Sequence, residues 1–78
     1  MMEITIRIKS VQEVLAFVSL ATSRPFSVSV SDGRHHVNGK SFLEMFCLNA
    51  RYPLTVTLDC SDEEFQQFRQ DAGRFLAL

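Results

Sequence analysis

The sequence lacks any excess of positive charge. Its 78 residues carry eight lysines and arginines against nine aspartates and glutamates, for a formal net charge of −1. Because binding to a nucleic-acid backbone needs a basic surplus, we expect no nucleic-acid partner. The chain also lacks an apolar run near the ~20 residues of a membrane span, and its start lacks the basic-then-apolar pattern of a signal peptide. We therefore expect a cytoplasmic protein with no membrane partner.

The residues that would carry metal or redox chemistry are few and poorly spaced. Cys47 and Cys60 do not form a paired motif, so we expect two reduced thiols rather than a disulfide or a metal site. His35 and His36 are neighbours on a predicted strand and point to opposite faces, so they cannot share one tetrahedral ion. No Ser/His/Asp set, glycine-rich phosphate loop or pair of carboxylates in a cleft is evident. We expect no metal, no cofactor and no enzymatic activity.

What the sequence does contain is the composition of a globular domain, with 46% hydrophobic and 22% charged residues. This length suits one domain, over residues 1–78. Alternating apolar residues predict four β-strands, at residues 3–8, 26–30, 34–38 and 54–59. Asp32 and Gly33 are typical of a two-residue hairpin turn, which would place His35 opposite Val30.

Three serines mark the starts of three predicted helices. Ser10 with Glu13 and Ser61 with Glu64 have the spacing of a capping box, and Ser41 is placed to cap a short helix between them. The element order βαββαβα predicts an α+β fold, an open-faced sandwich with a four-stranded, mainly antiparallel sheet and three helices on one face. Its predicted core combines apolar residues of strands and helices, namely Ile4, Ile6, Leu15, Val18, Val28, Val56, Phe68 and Phe75.

Short segments spread along the chain match those of one protein family. They are Phe17-Val18, the hairpin, Val37-Asn38-Gly39-Lys40-Ser41, Leu48 and Val56-Thr57-Leu58, followed by an acidic helix start. Together they resemble HPr, the histidine phosphocarrier of the bacterial sugar phosphotransferase system. The resemblance runs from about Ser10 to the end and is closest, over residues 37–41, to the catabolite-repression homologue of HPr. It implies an HPr-like domain.

The resemblance fails at the family's phosphoryl-accepting loop, which reads Gly-Leu-His-x-Arg-Pro-Ala. The histidine position falls on Ser10, the arginine on Gln12 and the proline on Glu13. A serine hydroxyl cannot replace imidazole as a readily reversible phosphoryl acceptor. Glu13 also adds negative charge where the amides of a helix start would otherwise attract phosphate. The match therefore implies no catalytic residue and no phosphorelay through this site.

The resemblance is retained at Ser41, which matches the family's regulatory serine, the target of a dedicated kinase. It implies a candidate regulatory phosphosite that is compatible with a helix N-cap, since phosphate is favoured at a helix start. The apolar residues that follow match the family's docking surface, namely Phe42, Leu43, Met45 and Phe46. A helix this short cannot bury all four, and we expect one or two of them, Phe42 with Met45 or Phe46, to form an exposed patch that binds partners. The partners implied are proteins, such as a phosphotransferase-system kinase or a transcription regulator.

The favoured function is therefore that of an HPr-like regulatory or adaptor protein without carrier activity. A second hypothesis is a small α+β ligand-sensing or dimerisation domain, in which the uncovered sheet face pairs with another subunit. A third is an atypical phosphocarrier that uses His35 or His36. The expected oligomeric state is a monomer or a weak homodimer.

Overall fold

Four antiparallel strands form one sheet in the computed structural model, which describes residues 1–77. Leu78, the last residue of the predicted domain, lies outside the described residues. The strands are β1 (Met2–Ile6), β2 (Val28–Ser31), β3 (His36–Asn38) and β4 (Leu54–Leu58). Their spatial order is β1-β4-β2-β3, with every neighbouring pair antiparallel.

Three helices connect and cover these strands. They are α1 (Val11–Thr22), α2 (Phe42–Met45) and α3 (Asp62–Asp71), the last followed by a 3₁₀ turn over Gly73–Phe75. Inward residues of every strand meet the helices in one apolar core, since strand side chains alternate between the two faces. The buried strand residues are Ile4, Ile6, Val28, Val30, Val37, Leu54, Val56 and Leu58. The predicted α+β sandwich is confirmed.

The β2–β3 hairpin has a different register from the one predicted. Val37, not His35, lies opposite Val30, and Ser31 pairs with His36. Four residues therefore form the turn, and His35 lies within it. Because the register shifts by two positions, the inward and outward faces of the strands are unchanged.

A side chain explains the wider turn. One carboxylate oxygen of Asp32 accepts hydrogen bonds from the backbone N–H groups of Arg34 and His35, both at 2.8 Å. The chain wraps around this carboxylate, as in an Asx turn, with Gly33 at a φ of 95° where a glycine is favoured.

The inward face of α1 also differs from the prediction. Leu15 is 49% exposed and Val18 is partly buried, whereas Phe17 is completely buried. The Phe17 ring makes edge-to-face contacts with Phe68 and Phe75, at centroid distances of 6.4 and 5.7 Å. Two apolar stripes overlap on this helix, and the stripe that carries the large aromatic ring faces the core.

The end of the chain leaves the helix earlier than its apolar spacing predicts. α3 ends at Asp71, and Phe75 reaches the core from the 3₁₀ turn. Leu76 then forms a bridge with Ile6, and the N–H of Arg7 donates to the Phe75 carbonyl at 2.7 Å. This last segment therefore covers part of the outer edge of β1.

Candidate functional site

The start of α1, where the resembling family holds its phosphoryl group, is capped by a serine side chain. Ser10 is the N-cap, and its hydroxyl accepts the backbone N–H of Glu13 at 3.1 Å. The Glu13 carboxylate accepts the N–H of Lys9 at 2.7 Å, rather than that of Ser10 as a strict capping box requires. The predicted cap is thus present, with its return bond displaced by one residue.

This arrangement determines what the start of α1 can do chemically. An anion would be attracted by free N–H groups at a helix start, but Glu13 adds a negative charge in the first turn of α1, with its carboxylate bonded to the N–H of Lys9. Gln12, at the family's arginine position, offers a neutral amide in place of a guanidinium. By the resemblance, Ser10 and Gln12 therefore stand where the family has its acceptor imidazole and its arginine guanidinium.

The start of α2 uses the same elements but connects them to the sheet. Ser41 caps the helix, and its hydroxyl accepts the N–H of Glu44 at 3.2 Å. The Glu44 carboxylate accepts the N–H of Asn38 on β3 at 3.1 Å, and the N–H of Ser41 donates to the Asn38 carbonyl at 3.0 Å. The predicted Ser41 cap is confirmed, and the hydroxyl lies on a residue that is only partly buried.

A glycine lets the chain leave the sheet just before Ser41. The N–H of Gly39 donates to the carbonyl of Val28 at 2.7 Å. A Cβ at Gly39 would lie 2.8 Å from a Val28 methyl group and 3.2 Å from both the Val28 carbonyl oxygen and a Val30 methyl group. Only glycine fits this close approach without displacing β2.

The apolar side chains of α2 divide between core and surface differently from the prediction. Met45 is 4% exposed and belongs to the core, so the expectation that it forms part of an exposed patch is wrong. Phe42 and Phe46 are exposed as expected, with their rings edge to face at 4.7 Å. Leu43, which matches the family's docking surface but was not expected to be exposed, is 78% exposed. Phe42, Leu43 and Phe46 are called the α2 patch below.

The segment after α2 is tied to the hairpin. The second carboxylate oxygen of Asp32 accepts the N–H of Asn49 at 2.9 Å and lies 3.4 Å from a ring nitrogen of His35. The N–H groups of Asn49, His35 and Arg34 hold the pKa of the Asp32 carboxyl well below its usual range. His35 therefore has a structural partner in the turn.

The cysteines show no sign of shared chemistry. Both are free thiols, with Cys47 exposed and Cys60 partly buried. Desolvation, followed by the charge of Glu64, raises the pKa of the Cys60 thiol, which makes it less reactive. Within residues 1–77, no three His, Cys, Asp or Glu side chains group as metal ligands. No helix in the same range is long and apolar enough to cross a membrane.

Solved structures share this architecture. The crystal structure of HPr-C-His from Thermoanaerobacter tengcongensis matches with a TM-score of 0.75 and 24% identity, covering 92% of this chain and 90% of that one. The histidine-containing phosphocarrier protein of Mycoplasma matches with a TM-score of 0.66 and 13% identity, covering 97% and 98%. No family model and no curated protein matches the sequence. The chain has the fold of the HPr phosphocarrier proteins, as the sequence resemblance implied.

Proposed function

We propose that the protein is an HPr-like regulatory or adaptor protein that carries no phosphoryl group and binds proteins through the α2 patch. The observation that carries this proposal is the capped, acidic start of α1. Ser10 stands at the acceptor position of the resembling family and caps the helix, and Glu13 adds a negative charge in its first turn. The proposal places the chain within the bacterial phosphotransferase system, with no enzymatic activity of its own.

The α2 patch supports the docking half of the proposal. Phe42 and Phe46 expose aromatic surface, and Leu43 exposes most of its side chain, all within five residues of Ser41. Exposed aromatic and aliphatic side chains that lie together supply most of the desolvation energy at protein interfaces. Two neighbouring aromatic rings lose little conformational entropy on binding, so they suit the role of anchors.

Ser41 supports the regulatory half. Phosphorylation would add close to two negative charges and three strong acceptor oxygens beside the α2 patch, which arginine side chains of a partner can bind. The Glu44 carboxylate is bonded next to this position, so the modified helix start would carry two adjacent anionic groups. In the proposal the partner is therefore a protein with a basic surface, such as a phosphotransferase-system kinase or a transcription regulator.

The experiment compares four proteins as bait in lysate of the source organism. These are the wild type, Phe46→Ala, Ser41→Asp and Tyr52→Ala, the last a control because Tyr52 is also exposed but lies outside the α2 patch. We expect Phe46→Ala to weaken binding to the captured partner by about 2 kcal/mol or more, measured by calorimetry with the purified components. Tyr52→Ala should bind as the wild type does.

Two results would contradict the proposal. Identical capture by all four proteins, with a concentration-dependent dimer in sedimentation, would favour the alternative in which the open sheet face pairs with a second subunit. Binding that Tyr52→Ala weakens and Phe46→Ala does not would place the docking surface elsewhere. Because aspartate imitates phosphate poorly, the Ser41 arm is completed with enzymatically phosphorylated protein.

A further inference from the structure

A groove of about 650 Å³ lies between the loop that follows α1 and the side of α3. The loop supplies Arg24, Pro25 and Phe26, and the helix supplies acidic and glutamine side chains along one face. None of the α2 patch residues lines it. A volume of this size accommodates several side chains of a ligand.

The loop wall of the groove is fixed by contacts at three points. The guanidinium of Arg24 is bonded to the Asp71 carboxylate at 2.5 Å and lies over the Phe68 ring, 5.7 Å from its centroid. The ammonium of Lys40 donates to the Arg24 carbonyl at 2.7 Å, and the Phe26 ring packs edge to face on Phe68 at 6.1 Å. A wall held in this way is already formed before a ligand binds, which lowers the entropy cost of binding.

The helix wall of the groove is acidic. Asp62, Glu63 and Glu64 all line it, while the positive charge of Arg24 is already paired with Asp71. The carboxylates of Asp62 and Glu63 therefore add negative charge to the rim next to the apolar surface of the loop, whereas that of Glu64 accepts the N–H of Ser61 at 3.0 Å. The amide groups of Gln66, Gln67 and Gln70 extend along the same wall and can both donate to and accept from a peptide backbone.

We propose that this groove binds a short basic peptide segment of a partner protein, in addition to the proposed docking through α2. An apolar side chain of the segment would pack on Pro25 and Phe26. Its lysine or arginine side chains would pair with Asp62 and Glu63, and its backbone would bond to the glutamine amides. This occupant matches the groove in both charge and apolar surface, which neither an acidic nor a purely apolar segment does.

The test is an NMR titration of the ¹⁵N-labelled protein with a synthetic hexapeptide that has two central leucines and two lysines on each side. We expect amide shifts centred on Phe26, Gln66 and Gln67. The variant Gln66→Lys adds one positive charge inside the groove and should weaken binding about tenfold. Gln12→Lys adds the same charge to an exposed glutamine at the start of α1 and should change affinity less than about twofold.

Several outcomes would overturn the proposal. They are an equal response to a matched hexapeptide with glutamates in place of lysines, equal weakening by both variants, shifts centred outside the groove, and no shift at millimolar peptide. Self-association through the groove would also overturn it, and would appear as shifts of the same amides on raising the protein concentration alone. The fold of each variant is verified from its spectrum before titration.

Discussion

Helices α1 and α2 begin with the same local structure and differ in what that structure is attached to. Each has a serine N-cap whose hydroxyl accepts the N–H of a glutamate three residues later. At α1 the carboxylate of Glu13 returns to Lys9, its neighbour along the chain. At α2 the carboxylate of Glu44 crosses to Asn38 on β3.

The difference shows that a cap is specified by short-range spacing, whereas its role depends on the surroundings. At α1 the cap lies at the position where, by the resemblance, the family holds phosphate. At α2 the cap leaves Ser41 partly accessible beside the exposed α2 patch and joins the helix to the sheet edge. In our proposal the first region has lost its carrier function and the second retains an interaction surface.

The largest expected effect tests how α1 is anchored. Phe17→Ala removes a completely buried ring from between Phe68 and Phe75 and should cost about 3–5 kcal/mol, most of the stability of so small a domain. Phe68→Ala removes a ring that is equally buried and should lower the free energy of unfolding by as much. Leu15→Ala, on the exposed side of α1, should cost less than about 1 kcal/mol. Denaturant unfolding measures all three, and equal losses for Phe17→Ala and Leu15→Ala would show that α1 packs on its other face.

The same contrast should hold within α2, with a somewhat smaller effect. Met45→Ala creates a cavity beneath the helix and should cost about 2–5 kcal/mol, whereas Leu43→Ala should change stability by less than about 0.5 kcal/mol. Thermal unfolding of the two variants and the wild type measures both stability changes. A stable Met45→Ala protein would mean that Met45 does not anchor α2 to the core.

Each cap should contribute about 1 kcal/mol to the free energy of unfolding, measured by comparing Ser10→Ala and Ser41→Ala with the wild type. Substituting the glutamate beside each cap should have different effects at the two helix starts. Glu44→Ala should speed hydrogen exchange of the Asn38 amide on β3, whereas Glu13→Ala should affect the Lys9 amide and leave the sheet unchanged. Exchange measured by NMR residue by residue tests this. Unaltered exchange at Asn38 would contradict the bond between α2 and β3.

The smallest expected effect is an acid-dependent one at the exits of the two helices. In the loop after α1, the Arg24 guanidinium donates to the Asp71 carboxylate. In the segment after α2, the N–H of Asn49 donates to the Asp32 carboxylate. Both carboxyls have a pKa below the usual value in the folded protein. The unfolded chain therefore binds more protons in acid, so this stability is present above about pH 4 and is lost as the pH falls further.

Asp32→Asn tests the contribution at α2. The variant should be less stable than the wild type at pH 7, and its stability should decline less steeply below pH 4. Urea midpoints across this range measure both quantities. Parallel pH curves for variant and wild type would show that Asp32 does not link the hairpin to Asn49.

The parts of the structure that sequence reasoning predicted well depend on near neighbours. The caps at Ser10, Ser41 and Ser61 follow from the identity of one residue and its spacing to the next few, and strand alternation fixed which residues face inward. The hairpin register was predicted wrongly because the Asp32 carboxylate binds the N–H groups of Arg34 and His35 and so widens the turn. Its further bond to Asn49, 17 residues away, lies outside any local pattern.

The site residues were harder to predict for a related reason. A helix of four residues is too short for its periodicity to separate a buried Met45 from an exposed Leu43. In α1 the apolar stripe through Leu15 overlaps the one through Phe17, and only packing against Phe68 and Phe75 determines which faces inward. An exposed apolar patch on α2 was therefore predicted, although Met45 was wrongly assigned to it and the exposure of Leu43 was not predicted.

The central claim, that the start of α1 no longer carries a phosphoryl group, is tested most directly by one phosphotransfer measurement. The protein is incubated with labelled phosphoenolpyruvate and the family's donor enzyme, beside an HPr that retains its histidine. We expect acid-labile, base-stable label on that HPr and none on this protein. Stoichiometric label on this protein would contradict the account, and its location on His35 or His36 would establish the chain as an atypical carrier.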